Sequence, residues 1–401
     1  MKKEKRPLGL YLHFPFCRSK CIYCDFYSLT GREADMDRYC QALAAHLTET
    51  APHAAGHQVD TVYFGGGTPS LLGAKRLAGL AKVIKKQFDV AKDVEWTLEA
   101  NPESCQDVGE LKRLRRAGFD RISLGVQSAR DSELKDLGRI HTFRQAVDAV
   151  AAARKAGFKN LSLDLMYGLP GQSLAGWRFT LEKALALRPE HLSCYGLTPV
   201  EETPLWGRRD VLPNDKAQSA QYLAAVELLE AAGYEQYEIS NFAKPGFASR
   251  HNRKYWRLEE YAGFGPGAHS DFGHVRYAYG RDLDGYIKGV LEGGLTVEES
   301  QTIPPERRDT EYIMLALRTA EGIDAAVFSN RYRQRFEPLA KELALMSKSG
   351  LAVETVPGHW RLTPKGFLVS NAVISRLWAV MEEEKRRRAE AAARGDYRII
   401  P

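Results

Sequence analysis

Short apolar runs separated by amphipathic stretches fill the first half of the chain. Leu8 to His13, Thr61 to Phe64, Glu95 to Glu99, Arg121 to Val126, Leu161 to Met166 and His191 to Tyr195 read as six strands. Between them, Asp35 to Thr50, Leu71 to Gln87, Val108 to Ala117, Phe143 to Ala156 and Leu174 to Leu187 repeat apolar positions at helical spacing. Alternation of this kind predicts a parallel α/β sheet. Six units are too few to close an eight-stranded barrel, and periodicity alone leaves a partial barrel and a doubly wound sheet both open.

The alternation fades after about Pro199. A segment rich in aromatics, glycine and charge follows, and Pro304 and Pro305 break it off. Beyond them, helices over Tyr312 to Ala320, Ala325 to Tyr332 and Leu339 to Ser349 precede a strand pair at Ala352 to Thr355 and Trp360 to Thr363, and then a last helix. That order predicts a mostly helical, winged-helix-like C-terminal domain. The expected organisation is a barrel over 1–200, a covering extension over 201–303, the winged-helix-like domain over 304–380 and a charged tail over 381–401.

A chain of 401 residues with 44% hydrophobic content has core enough for two domains. The formal charge is only +6. The basic run Lys385 to Arg388 follows Glu382, Glu383 and Glu384, which predicts a solvated helix and no nucleic-acid partner. The N-terminal segment lacks the apolar core of a signal peptide, and no apolar window of about 18 residues exists. A cytoplasmic protein is expected, in a reducing compartment where its six cysteines stay thiols, with room for peripheral membrane contact.

Three of those cysteines, Cys17, Cys21 and Cys24, crowd a loop that leaves the first strand. Three thiolates can hold an iron-sulfur cluster and leave one iron without a protein ligand. Zinc is the alternative, but it wants four ligands; Cys40, Cys105 and Cys194 are solitary, so only His13 or Asp25 could complete that site. Gly65-Gly66-Gly67-Thr68 follows the second strand, where backbone can approach a ligand without side chains intervening. Later strands end on Glu99, Gln127 and Asp164, polar groups that are expensive to bury unless used.

The C-x3-C-x2-C loop after a first strand resembles the signature of the radical S-adenosylmethionine superfamily. Nearly the whole chain is similar to the family of oxygen-independent coproporphyrinogen III oxidase and the HemW haem chaperones. The resemblance implies a partial (β/α)6 TIM-like barrel, a [4Fe-4S] cluster on Cys17, Cys21 and Cys24, and S-adenosylmethionine on the open iron. It implies adenosylmethionine contacts at Tyr11, Tyr23, Gly66, Gly67, Thr68, Glu99, Gln127, Arg139 and Asp164. The oxidase pattern continues C-x-C, whereas this chain has Asp25-Phe26. His251-Asn252-Arg253-Lys254-Tyr255-Trp256 reproduces the H-N-x-x-Y-W run of the chaperones. The implied function is a haem chaperone serving respiratory-chain acceptor proteins, with His251, Asn252, Tyr255 and Trp256 as haem candidates; radical decarboxylation of coproporphyrinogen is the alternative. His269 and His13 are further candidates for the haem iron.

Overall fold

The computed structural model describes residues 5–295 and 297–394 and divides the chain into two compact units. The first comprises Met1–Glu235, Ser240–Tyr255 and Glu259–Thr302. Its centre is six parallel strands in sequence order: β1 (Arg6–Phe14), β2 (His57–Gly66), β3 (Val90–Ala100), β4 (Arg121–Gln127), β5 (Asn160–Tyr167) and β6 (His191–Gly196). Helices Met36–Thr50, Gly73–Gln87, Val108–Ala117, Phe143–Lys155 and Leu174–Ala186 make the crossovers. The set does not close on itself. Beyond β1 the sheet continues through Tyr261–Phe264, and beyond β6 through Asn241–Ala243, so the barrel is partial.

Two-residue alternation explains the curl and its contents. Leu8, Leu10, Leu12 and Phe14 on β1, Val62 and Phe64 on β2, Trp96 and Leu98 on β3, Ile122 and Leu124 on β4, and Leu161, Leu163 and Leu165 on β5 are all buried at 1% exposure or less. These positions carry the apolar core. The intervening positions carry polar side chains: Thr61 and Tyr63; Glu95, Thr97 and Glu99; Arg121 and Ser123; Ser162 and Asp164; His191 and Ser193. Several of the second set are joined by hydrogen bonds across strands: Asp164 accepts from Ser123, Ser162 and Ser193, and Tyr63 donates to Glu99. One face of every strand therefore meets helices, and the other meets a polar interior.

Residues 201–302 do more than cover the barrel. They add a regular helix, Asp215–Ala231, and the strands Tyr261–Phe264, His269–Phe272, Val275–Tyr279 and Val297–Thr302, which extend the sheet edge past β1. The helix escapes a periodicity reading because its buried positions include Gln221, which accepts from the Gly168 amide and donates to Gln172.

The second unit, Gln236–Ile239, Trp256–Leu258 and Ile303–Pro401, contains helices Asp309–Ala316, Ala325–Tyr332, Glu337–Lys348 and Ser370–Ala393. Its three-stranded sheet joins Ile323–Asp324, His359–Leu362 and Ala352–Val356. Helix, strand, helix, helix and hairpin is the winged-helix order. Basic residues of the final helix lie beside acids of the same helix: Lys385 with Glu382, Arg386 and Arg387 with Glu383, and Arg388 with Glu384. Of the charged tail, residues 395–401 lie outside those described. No described helix is long and apolar enough to cross a membrane.

The two faces of β4 should respond differently to truncation. Leu124→Ala, on the helix-facing side, should destabilise the protein by about 2–5 kcal/mol. Ser123→Ala, on the cavity side, should cost about 1 kcal/mol. Denaturant midpoints of the two variants check this.

Candidate functional site

Above the C-terminal ends of the strands, the loop after β1 and the loop after β2 are pressed together. The Gly67 and Thr68 amides donate to the Phe14 and Phe16 carbonyls, each at 2.8 Å. A Cβ on Gly67 would stand 2.7 Å from the Phe16 oxygen and 3.1 Å from Cys17 Sγ, so only glycine allows this approach. Gly66 sits at φ +109, and its own Cβ would meet the His13 ring at 2.6 Å. The cysteine loop is further pinned by Lys20, whose ammonium donates to the Phe26 carbonyl at 2.7 Å and to Ser28 Oγ at 3.1 Å. The Ile22 amide donates to the Leu137 carbonyl, and Tyr23 packs against Leu137, Met166, Leu169, Leu197 and Leu205.

A cavity of ≈ 420 Å³ opens beneath this rim. Cys17, Cys21 and Cys24 all line it, together with Tyr23, Gly66, Gly67, Thr68, Glu99, Gln127, Arg139 and Asp164. Of the residues expected around adenosylmethionine, only Tyr11 is not part of the lining. Its hydroxyl lies 3.1 Å from His13 Nδ1, and its ring lies against Tyr63, a cavity residue, with centroids 6.1 Å apart. Gln127 ends β4 after a register shift, in the left-handed region at φ 65, which costs about 1–2 kcal/mol for a side-chain-bearing residue. Strain of that kind is kept where a side chain must be aimed.

Residues not anticipated complete the site. Asn101, just past β3, donates to Thr68 Oγ1 at 2.9 Å and accepts from Arg139 Nη2 at 2.6 Å. Arg139 also donates to the Gly125 carbonyl at 2.7 Å and reaches Cys21 Sγ at 3.6 Å, while Thr68 Oγ1 lies 3.6 Å from Cys17 Sγ. A fixed guanidinium and a hydroxyl thus adjoin two of the three sulfurs, as suits thiolates that carry negative charge. Arg121, 1% exposed, lines the cavity below. The sequence signal for both was available: Asn101 follows Glu99 in the strand-end run, and Arg121 shares the two-residue register of Ser123.

Burial dominates the electrostatics here. It pushes Glu99 up to about 7, an effect the Tyr63 hydroxyl at 2.7 Å and the Gly66 amide at 3.0 Å oppose and the Asp164 charge reinforces. Asp164 is also raised by burial, against its three serine donors and Arg121. Burial raises the Cys24 thiol too, opposed by the Phe26 amide and Lys20.

Two family models match the chain: the radical SAM superfamily over residues 11–184 and the HemN C-terminal domain over residues 303–369. Heme chaperone HemW of Escherichia coli (strain K12) is 37% identical over 375 residues, covering 92% of this chain and 97% of the relative. Heme chaperone HemW of Bacillus subtilis (strain 168) is 34% identical, over 90% of this chain and 97% of its own. The chain belongs to the HemW family. The coproporphyrinogen III oxidase HemN of Escherichia coli superposes with a TM-score of 0.81 over 93% of this chain and 90% of its own, at 24% identity, and so shares the fold.

Membership in the radical SAM superfamily implies a [4Fe-4S] cluster and S-adenosylmethionine, and the residues present fit both. Three cysteines spread around one cavity suit a cluster, in which each thiolate takes its own iron.

The run His251 to Trp256 lies in helix Arg250–Arg257. His251 is 1% exposed, with Nδ1 2.8 Å from Thr61 Oγ1 and Nε2 2.8 Å from the Tyr255 hydroxyl, so an iron would have to displace one of these partners. Asn252 lines the cavity, and Trp256 belongs to the second unit. His13 is likewise enclosed, bonded to Tyr11 and the Tyr27 carbonyl, while His269 is exposed.

Two outcomes follow. Gly67→Ala should separate the two loops and cut the iron retained after anaerobic reconstitution, which iron and sulfide analysis measures. Glu99 has a folded pKa above its unfolded value, so its contribution to stability is present below about pH 4.5 and lost as pH rises to about 7. Glu99→Gln should therefore be more stable than wild type above pH 7, by up to about 3 kcal/mol, and nearly equal to it near pH 4.5. Denaturation at the two pH values checks the sign.

Proposed function

We propose that this chain is a cytoplasmic haem chaperone that carries a [4Fe-4S] cluster on Cys17, Cys21 and Cys24, binds S-adenosylmethionine beside it, and hands haem to acceptor proteins of the respiratory chain. The observation that carries the reading is full-length similarity to heme chaperones HemW, combined with three cysteines on one cavity. When bound, the cluster supplies an open iron for the amino and carboxylate groups of the sulfonium. The chain's own groups would do the rest. Arg139 and Asn101 would fix the anionic end, Tyr23 would hold the adenine against the Leu137 to Leu205 apolar group, and Glu99, Gln127 and Asp164 would take the ribose and amino groups.

The cavity volume is in the range of a single small-ligand site, which leaves haem to a surface beyond it. His269 is the exposed one of the three candidate histidines and is the proposed iron ligand. The oxidase reading is disfavoured by Phe26, which stands where the oxidase pattern has its further cysteine and exposes 67% of its surface at the cavity rim.

Titrating haem into anaerobically reconstituted protein should give a saturable Soret band, altered in His269→Ala. Incubation with coproporphyrinogen III and a reductant should give no protoporphyrinogen. An unchanged Soret spectrum with the cluster intact rejects the chaperone reading. A Soret band identical in wild type and His269→Ala rejects the ligand.

A further inference from the structure

The geometry points to a different role for the H-N-x-x-Y-W helix: we propose that His251 is a positioning residue and Asn252 the floor of the adenosylmethionine cavity, so that this motif sets affinity for the sulfonium ligand and does not bind haem iron. The inference rests on the cluster and adenosylmethionine reading above.

The helix is locked into the lower end of the barrel. Glu95, inward on β3 and four residues before Glu99, accepts the Arg250 and His251 amides, each at 3.1 Å, where a carboxylate complements a helix N-terminus. Lys254, 1% exposed, pairs with Asp60 at 2.8 Å and Glu259 at 3.2 Å. The chain makes room for this helix at Gly9 of β1, where a Cβ would meet the Lys254 side chain at 2.9 Å and the His251 ring at 3.2 Å.

From that seat His251 reaches upward through a continuous set of contacts. Its ring is held edge to edge by Thr61 and Tyr255 and stacks on Tyr63, centroids 5.0 Å apart and planes 25° apart. Tyr63 in turn donates to Glu99 Oε1 at 2.7 Å, and Glu99 Oε2 accepts from Gly66, so the carboxylate orientation and the glycine loop share one support. Burial pushes His251 down to about 3, so the ring is neutral, with one nitrogen donating and one accepting. Asn252, next along the helix, faces the same cavity as Glu99. A histidine with both nitrogens committed, at the base of the wall that carries a cavity carboxylate, is a bracket for that wall.

The test uses reconstituted full-length protein and three variants: His251→Ala, His251→Gln and Tyr255→Phe. S-adenosylmethionine affinity is measured by equilibrium dialysis, and haem affinity by Soret titration of the same samples. His251→Ala should weaken adenosylmethionine binding about tenfold, and Tyr255→Phe about threefold, each equivalent to one lost hydrogen bond or less. His251→Gln, which keeps a donor and an acceptor, should recover most of the affinity, and iron content and haem affinity should stay at wild-type levels. If His251→Ala does not fold, Tyr255→Phe carries the decision. Adenosylmethionine affinity equal to wild type in these variants, or haem binding lost while adenosylmethionine binding is kept, overturns the proposal. Wild-type protein that takes up no adenosylmethionine overturns the reading beneath it.

Discussion

The arrangement of the first unit depends on one constraint: polar side chains shut inside a barrel must satisfy one another, because helices have taken the outer face of every strand. An unpaired carboxylate or guanidinium there would cost several kcal/mol. The chain answers with donors and acceptors on neighbouring strands. Asp164 has three serine hydroxyls, Glu99 has Tyr63 and an amide, and Glu95 has two amides of the helix below. Glu99 and Asp164 also line the cavity, where a carboxylate complements a polar ligand that carries positive charge.

The rim obeys a second constraint, close approach. The three cysteines sit on one short loop, and the groups around it hold that loop in place. Here it rests on the glycine run after β2, is tied by Lys20 to its own carbonyls, and is backed by the apolar group around Leu137 and Leu205. Arg139 joins the two levels by spanning from Cys21 to Asn101, and Asn101 spans to Thr68 beside Cys17. The cysteine loop and the cavity are thereby one structure.

Much of this was legible in the sequence because it is local. The six strands fall where apolar runs stand, and the helix over Val108 to Ala117 is bounded by an Asp107 cap and Gly118, signals that residues carry by themselves. The cysteine triplet and glycine loop are equally local, and the structure brings them together. What was not legible is long-range. Nothing in the run His251 to Trp256 says that it inserts below β1 and β2, because the partners Glu95, Asp60 and Thr61 lie far away in sequence. An aromatic motif with a histidine reads as a surface for a flat ligand; its burial is decided by the space Gly9 leaves open. The strands after Tyr261 escaped notice for another reason, being only four to six residues long.

The central claim is that Cys17, Cys21 and Cys24 hold a cluster whose remaining iron is open to a ligand in the cavity below. Electron paramagnetic resonance of the anaerobically reconstituted and reduced protein, with and without S-adenosylmethionine, tests it most directly. The account predicts a [4Fe-4S] signal whose g values change when adenosylmethionine is added. A signal that adenosylmethionine leaves unchanged, or no iron-sulfur signal at all in protein that has kept its fold, would contradict it.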